Sequence, residues 1–273
     1  MLFYKKFDLI VSIGEDCACA GYLRQLNLRT FSSPFDWVDG STIYKRLNLI
    51  RNNFEGWLDV KYIEKLYGKE ANDPIKYMEL NPNISPNDVH ESYINTVTGI
   101  KFHHDFVYKT PFEENIHSVK EKYDRRISRF MKSVKNANKI CLVFFAKNNF
   151  NVLECQECLK KLNTKYNNKF YLLCIENNDM LAINDVIIEK TQNMTHVQIN
   201  NSSVDCSTDF TKLMGNIPVV KQIIINTVFE FNVLELVKYS KDKRCILYKI
   251  QKFFINFIPN KKIRKELREK LTF

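Results

Sequence analysis

The sequence predicts an α/β protein: an open, mostly parallel sheet with helices on both faces, followed by a helical basic C-terminal tail. Three observations carry this expectation. Unbroken apolar runs at residues 8–13 (DLIVSI), 139–146 (KICLVFFA) and 169–175 (KFYLLCI) have the pattern of strands covered on both faces. A helical pattern at residues 151–166, with Val152, Cys155, Cys158, Leu159 and Leu162 in phase, separates the second run from the third. Strand–helix–strand alternation argues for parallel pairing. The third observation is charge. Residues 241–273 hold eleven Lys and Arg against three acids, which is +8 of the chain's formal +10. Residues 1–240 then read as one near-neutral domain and residues 241–273 as an amphipathic appendage.

Taken in order, the first run ends at Gly14 and a helix is expected over residues 17–26. Residues 56–85 are rich in Asn and Pro and read as helices with long loops. Residues 91–106 read as a hairpin turning at Thr98-Gly99. Residues 114–134 place Ile116, Val119, Tyr123, Ile127, Phe130, Met131 and Val134 on one face of a long amphipathic helix. A further short strand is expected over residues 196–199. In the tail, apolar residues from Ile246 to Ile258 recur at three- and four-residue steps, and Pro259 splits residues 248–271 into two helices.

Composition narrows the function classes. With 45% hydrophobic and 26% charged residues, the 273-residue chain has the make-up of a soluble globular protein. No apolar run approaches the ~18 residues of a membrane span, and Asp8 interrupts the N-terminal stretch too early for a signal peptide. The eight cysteines are scattered, and Cys141 and Cys174 sit inside apolar runs, which fits reduced thiols in a cytoplasmic protein. Gly21 is followed by Tyr22 where a Walker loop needs Lys. Cys17 and Arg24 enclose six residues, one too many for a tyrosine-phosphatase loop. Cys155-x-x-Cys158 has no second pair at zinc spacing and falls on an apolar helix face. No metal and no other cofactor is expected. The basic tail could suit nucleic acid, but its apolar stripe and the near-neutral body favour an anionic inner-membrane surface, met by Lys261, Lys262, Arg264, Lys265 and Arg268.

The chemistry is expected at Ser12-Ile-Gly14-Glu-Asp16-Cys17-Ala18, where a buried strand hands over to a helix. Ligands of open α/β sheets bind at the carboxyl ends of the strands. Gly14 would allow a sharp turn, and Asp16 would cap the helix. Cys17 would then sit in the first turn, where free N–H groups, that of Ala18 among them, and the helix dipole favour a thiolate or an oxyanion. Ionised Glu15 and Asp16 work against the thiolate. A thiol nucleophile also needs a base. His103 and His104 are adjacent, so on a strand they face opposite ways and one of them can face Cys17. His104 is followed by Asp105, a carboxylate placed to orient it. His117 falls on the long helix and reads as solvated.

Ser12-Ile-Gly-x-x-Cys17, Leu23-Arg24, Leu28-Arg29, Ser33-Pro34-Phe35-Asp36-Trp37, His104-Asp105-Phe106 and Tyr123-x-Arg-Arg126-Ile-x-Arg129-Phe130 together resemble a bacterial family of unknown function named for papain-like cysteine peptidases. The resemblance covers residues 8–176. It implies a Cys–His active site, here Cys17 and His104; on the residues alone, Asp105 or Asp36 would orient the imidazole. Read from the residues themselves, Pro34, Phe35 and Trp37 either line the pocket or form a rigid buried turn, and Arg126 and Arg129 either bind an anionic donor such as a phosphorylated carrier or belong to a solvated basic face. The strand–helix alternation fits an open sheet better than a papain fold. The tail, from Phe253 through Ile-Pro259 to Lys261-Lys262-x-Arg264, is similar to basic tails ending bacterial glycosyltransferases of lipopolysaccharide and capsule assembly. Together these resemblances imply acyl transfer or hydrolysis on a glycan or acyl-carrier substrate in cell-surface polysaccharide assembly. The alternatives are a papain-like peptidase and a non-catalytic scaffold of the same pathway, in which Cys17 is structural.

Overall fold

A computed structural model of the chain describes residues 3–147, 150–182, 185–200 and 217–231. The chain divides into two units, Leu9–Asn216 and Met1–Asp8 with Ile217–Phe273. In the larger unit, β2 (Leu9–Ser12), β7 (Ile140–Ala146), β8 (Phe170–Asn177) and β10 (Met194–Ile199) lie side by side and parallel. All three apolar runs are therefore neighbouring parallel strands. An antiparallel strand β9 (Val186–Lys190) closes the order β2-β7-β8-β10-β9. The sequence gives no sign of β9, because all five of its residues are exposed and no buried alternation marks it.

Successive β7 side chains serve opposite faces of the sheet. On one face, α1 (Cys17–Gln25) brings Tyr22 edge-on to Phe145 at 5.4 Å, and the Cys19 thiol donates to the Val143 carbonyl at 3.3 Å. On the other, Ile140, Leu142 and Phe144 join one core with α2 (Ile43–Arg51) and α5 (Val152–Lys165), through Leu47, Ile50, Cys155, Leu159 and Leu162. Cys155 is wholly buried in that core and Cys158 packs at its edge, so the Cys-x-x-Cys pair is packing. The helix α1 packs on the parallel sheet, against β2 and β7.

A second, wholly antiparallel sheet has the order β3 (Val38–Gly40), β6 (Ile100–Val107), β5 (His90–Asn95), β4 (Ile63–Lys65). The expected hairpin is β5–β6. Gly99 turns it at φ +73, and its amide donates to the Asn95 carbonyl at 2.8 Å. The Asn- and Pro-rich stretch supplies β4 and the short α3 (Pro74–Leu80). The long amphipathic helix α4 (Phe112–Asn136) sets Tyr123 and Phe130 among Phe35, Phe54, Trp57 and Phe102. Edge-on and tilted ring pairs of this kind each add about 0.5–1.5 kcal/mol beyond the area they bury.

The β5–β6 register is irregular. Glu91 faces Phe106 and Tyr93 faces Phe102, so His103, His104 and Asp105 of β6 stand against Ser92 alone. A bulge re-aims side chains and breaks strict alternation. Here Asp105 and Phe106 are both buried, although they are consecutive.

The smaller unit pairs β1 (Phe3–Lys5) antiparallel with β11 (Phe229–Phe231), after α6 (Ile217–Val228). The expected tail helices over 248–271, the basic cluster Lys261, Lys262, Arg264, Lys265 and Arg268, and the 240/241 boundary lie outside the described residues. Among the described residues no helix is long and apolar enough to cross a membrane.

Candidate active site

The loop after β2 places Cys17 at the first position of α1, at the carboxyl end of the parallel sheet. Asp16 caps the helix, its Oδ1 accepting from the Ala18 amide at 2.9 Å. Gly14 is required by close approach. A Cβ there would lie 2.5 Å from the Cys19 Cβ, while its φ is outside the left-handed region, so the expected sharp turn is replaced by tight packing. Gly14 N–H donates to Ser12 Oγ at 3.2 Å, and the Ala18 N–H is held by the cap. The Ala18 amide expected as an oxyanion donor is therefore not free, and neither is that of Gly14.

Two side chains from outside this loop complete the cluster. Lys147, just past β7, sets its ammonium 3.2 Å from Asp16 Oδ2 and 3.2 Å from Asp39 Oδ1. Its backbone amide donates to Glu15 Oε2 at 2.8 Å. Asp39, in β3, also lies 3.9 Å from His103 Nε2. The other ring nitrogen of His103 is fixed by Ser92 Oγ at 2.8 Å, across the bulge. Asn72 clamps the same place, its amide donating to Ser92 Oγ at 2.8 Å and its side chain to the His103 carbonyl at 2.6 Å.

Beneath these groups lies Arg46 of α2, which is wholly buried. Its guanidinium donates to the carbonyls of Ile13 (3.4 Å), Glu15 (3.3 Å) and Gly40 (2.5 Å), and it stacks over Phe35 at 5.4 Å. It thus joins the nucleophile loop to the strand that carries Asp39. Burial pulls its pKa down to about 10, against the pull of Glu15, Asp39 and Asp16. It remains a cation near neutrality.

The electrostatics set the protonation states. Burial raises the Cys17 thiol above its usual value, and Asp16 raises it further; the residue's own amide at the helix start opposes them. The expected low-pKa thiolate is thus overruled by desolvation and a neighbouring carboxylate. Burial lowers His103, and the partial pull of Asp39 does not restore it. Burial would raise Asp39, but Lys147 and the Gly40 amide bring it below the usual carboxylate value. Burial would lower Lys147, but Asp16 and Asp39 outweigh it and hold the ammonium above its usual value. At neutral pH the cluster therefore holds a neutral thiol, a neutral imidazole, an ionised Asp39 and a charged Lys147.

The other expected site residues lie elsewhere. His104 is exposed, and the imidazole beside Asp39 is that of His103. Asp105 does not orient it: that carboxylate is buried, accepts from the Tyr123 hydroxyl at 2.9 Å and pairs with Lys122. Asp36 is buried and tied to Arg29 Nε (2.7 Å) and to Ser33 (Oγ 2.6 Å, N 3.0 Å), so it closes its own loop. Burial raises its pKa against the Ser33 and Arg29 contacts. Pro34 and Phe35 are core, Phe35 ringed by Phe54, Trp57 and Phe130. Trp37 lies under Arg29, 5.5 Å from the guanidinium. Arg126 stacks on Tyr123 at 5.2 Å, and Arg129 is exposed on the same helix. His117 is exposed beside Glu121. Sequence reasoning missed Asp39, Lys147, Ser92 and Arg46. One of these was within reach: Lys147 directly follows the longest apolar run, at the strand end where ligands bind. Among the described residues no group of three His, Cys, Asp or Glu could hold a metal ion.

A parallel α/β core sets Cys17 at a helix start, and a second sheet brings His103 and Asp39 to the same cluster. The chain belongs to the family described as "Putative papain-like cysteine peptidase", whose model matches residues 8–178, from β2 through β8. It is also similar to an uncharacterised protein of Acanthamoeba polyphaga mimivirus, 28% identical over 205 residues, which covers 71% of this chain and 89% of that protein. This relative is viral, where the motifs pointed to a bacterial family. No solved structure matches the chain.

Proposed function

We propose that the domain is a cysteine-nucleophile enzyme of acyl transfer or hydrolysis, with Cys17 as nucleophile and His103, in place of the expected His104, as general base. The observation that carries this reading is the continuous link Cys17–Asp16–Lys147–Asp39–His103, built from both sheets at the carboxyl end of the parallel strands. Family membership supports a cysteine-based chemistry. With thiol and imidazole both neutral at rest, the step is general-base attack rather than reaction of a preformed thiolate–imidazolium pair. The thiol proton passes to His103 as sulfur bonds to the acyl carbon, and the leaving group departs with the electron pair and then the proton. Transfer to a hydroxyl or to water regenerates the thiol. The Cys17 amide at the helix start supplies positive potential for the oxyanion. A glycan acceptor and a membrane-resting tail belong to this proposal only through the resemblance of the tail.

The test is intact-mass spectrometry after incubation with activated acyl esters. One acyl group should be added to the native protein and none to Cys17→Ser. Acylation of Cys17→Ser at the native rate would overturn the assignment.

A further inference from the structure

A cavity of about 300 Å³ opens beside the bulge, and His103 forms part of its wall. His90 and His104 complete the polar side, while Pro74, Tyr77 and Leu80 of α3 form the apolar side. Tyr77 and Leu80 are 48% and 71% exposed, so the cavity's apolar wall is left open to solvent. Large apolar side chains held open around a concavity are what a ligand covers. The wall is built rather than incidental. Asn72, which precedes α3, bonds both to Ser92 and to the His103 carbonyl, and so fixes the α3 side to the imidazole of the site. Asp73 caps α3 through the Lys76 amide at 3.0 Å. The charges around the cavity are mixed, one cation (Lys76) against two carboxylates (Asp73 and Asp88), a balance that disfavours an anionic ligand. Burial, and then His104, lower His90 from its usual value, so the His90 imidazole is uncharged near neutrality.

We infer that this cavity is the subsite for the acyl donor's remote end and that it takes an uncharged, apolar group, aromatic or branched, of about the size of a phenylalanine side chain. The inference rests on the reading of Cys17 and His103 given above. His103 is shared by the two places: its Nε2 lies 3.9 Å from Asp39 of the site, and the residue lines the cavity. A donor seated on Tyr77 and Leu80 is thereby held at the base that starts its reaction, and its binding energy is realised at the reacting carbonyl.

The experiment compares p-nitrophenyl acetate with p-nitrophenyl 3-phenylpropanoate, each normalised to its reaction with N-acetylcysteine. The Cys17 sulfur bonds to the carbonyl carbon, the C–O bond breaks, nitrophenolate leaves with the electron pair, and the thiol proton goes to His103. Nitrophenolate release gives the rate and intact mass gives the adduct. The phenylpropanoate should be favoured about 10-fold or more. In Leu80→Asp and Tyr77→Ser that preference should fall toward unity. In Leu153→Asp, at an exposed position of α5, it should be kept. Equal normalised rates in the native protein, or a preference unchanged in Leu80→Asp, would overturn the subsite and leave the thiol chemistry standing. Absence of any adduct on Cys17 from either ester would overturn the thiol chemistry, and the subsite with it.

Discussion

Cys17 and His103 reach the same cluster from two sheets that differ in kind. The parallel sheet is regular, its β7 and β8 strands in unbroken register over seven residues. It offers a cysteine where every such sheet offers its ligand site. The antiparallel sheet is irregular where it matters, with three residues of β6 against one of β5. It offers an imidazole whose direction comes from the bulge and from the Ser92 and Asn72 contacts. The first half of the site follows from fold class; the second follows from a local defect in pairing.

The largest effect should come from cutting the tie between the halves. Arg46→Met removes three donors to the carbonyls of Ile13, Glu15 and Gly40 and should lower the unfolding free energy by about 3 kcal/mol. Urea titration should show a lower midpoint with an unchanged slope. A midpoint within error of the native one would mean that the halves do not depend on the guanidinium.

Next comes the choice between the two histidines. His103→Ala should slow Cys17 acylation about 100-fold at pH 7, and His104→Ala less than about 2-fold. The reverse order would restore the residue that the motif suggested. Because burial lowers His103, the rate should climb with pH as that imidazole loses its proton, below the usual histidine value, and climb again as the raised thiol ionises above the usual thiol value. A single rise centred on the ordinary thiol value would sink the general-base reading.

Smaller effects probe the regular half by itself. Gly14→Ala forces a Cβ to within 2.5 Å of the Cys19 Cβ and should cost about 1–3 kcal/mol, read as a lower melting temperature. Smallest is Asp16→Asn, which keeps a good cap but removes the charge that raises Cys17. Iodoacetamide labelling of Cys17 should then reach half-maximal rate at a lower pH. Throughout, Cys17 should label faster than Cys141 and Cys174, which are wholly buried.

The same contrast explains what the sequence could reveal. The strands β2, β7 and β8 were legible because double-sided burial leaves an apolar run, β10 only over its second half, and α4 and α5 because their buried stripes recur at helical spacing. Cys17 was legible through its place at a strand-to-helix junction. His103 was not. Adjacent residues on a strand face opposite ways, but which one faces the site depends on a register shift that no local pattern encodes. Asp105 looked like an orienting carboxylate because it follows His104 in sequence, and Asp36 because it stands in the Pro-Phe-Asp-Trp block; their partners, Tyr123, Lys122 and Arg29, are chosen by packing. Arg46 gave no signal at all, since a buried arginine and a solvated one look alike within a short helix.

Strand β9 has a consequence for the protein in bulk. It pairs with β10 on one side only and ends the sheet, with Val186, Ile187 and Ile188 exposed by 39%, 43% and 53%. Among the described residues nothing pairs with its outer backbone. A row of unmet amides and carbonyls beside aliphatic side chains is a template for another extended chain. Glu189 and Lys190 are the charges the strand sets against that. Crowded preparations should therefore lose material by edge-to-edge growth before the parallel core unravels, so shelf life and the strength of the fold become separate properties of the same molecule.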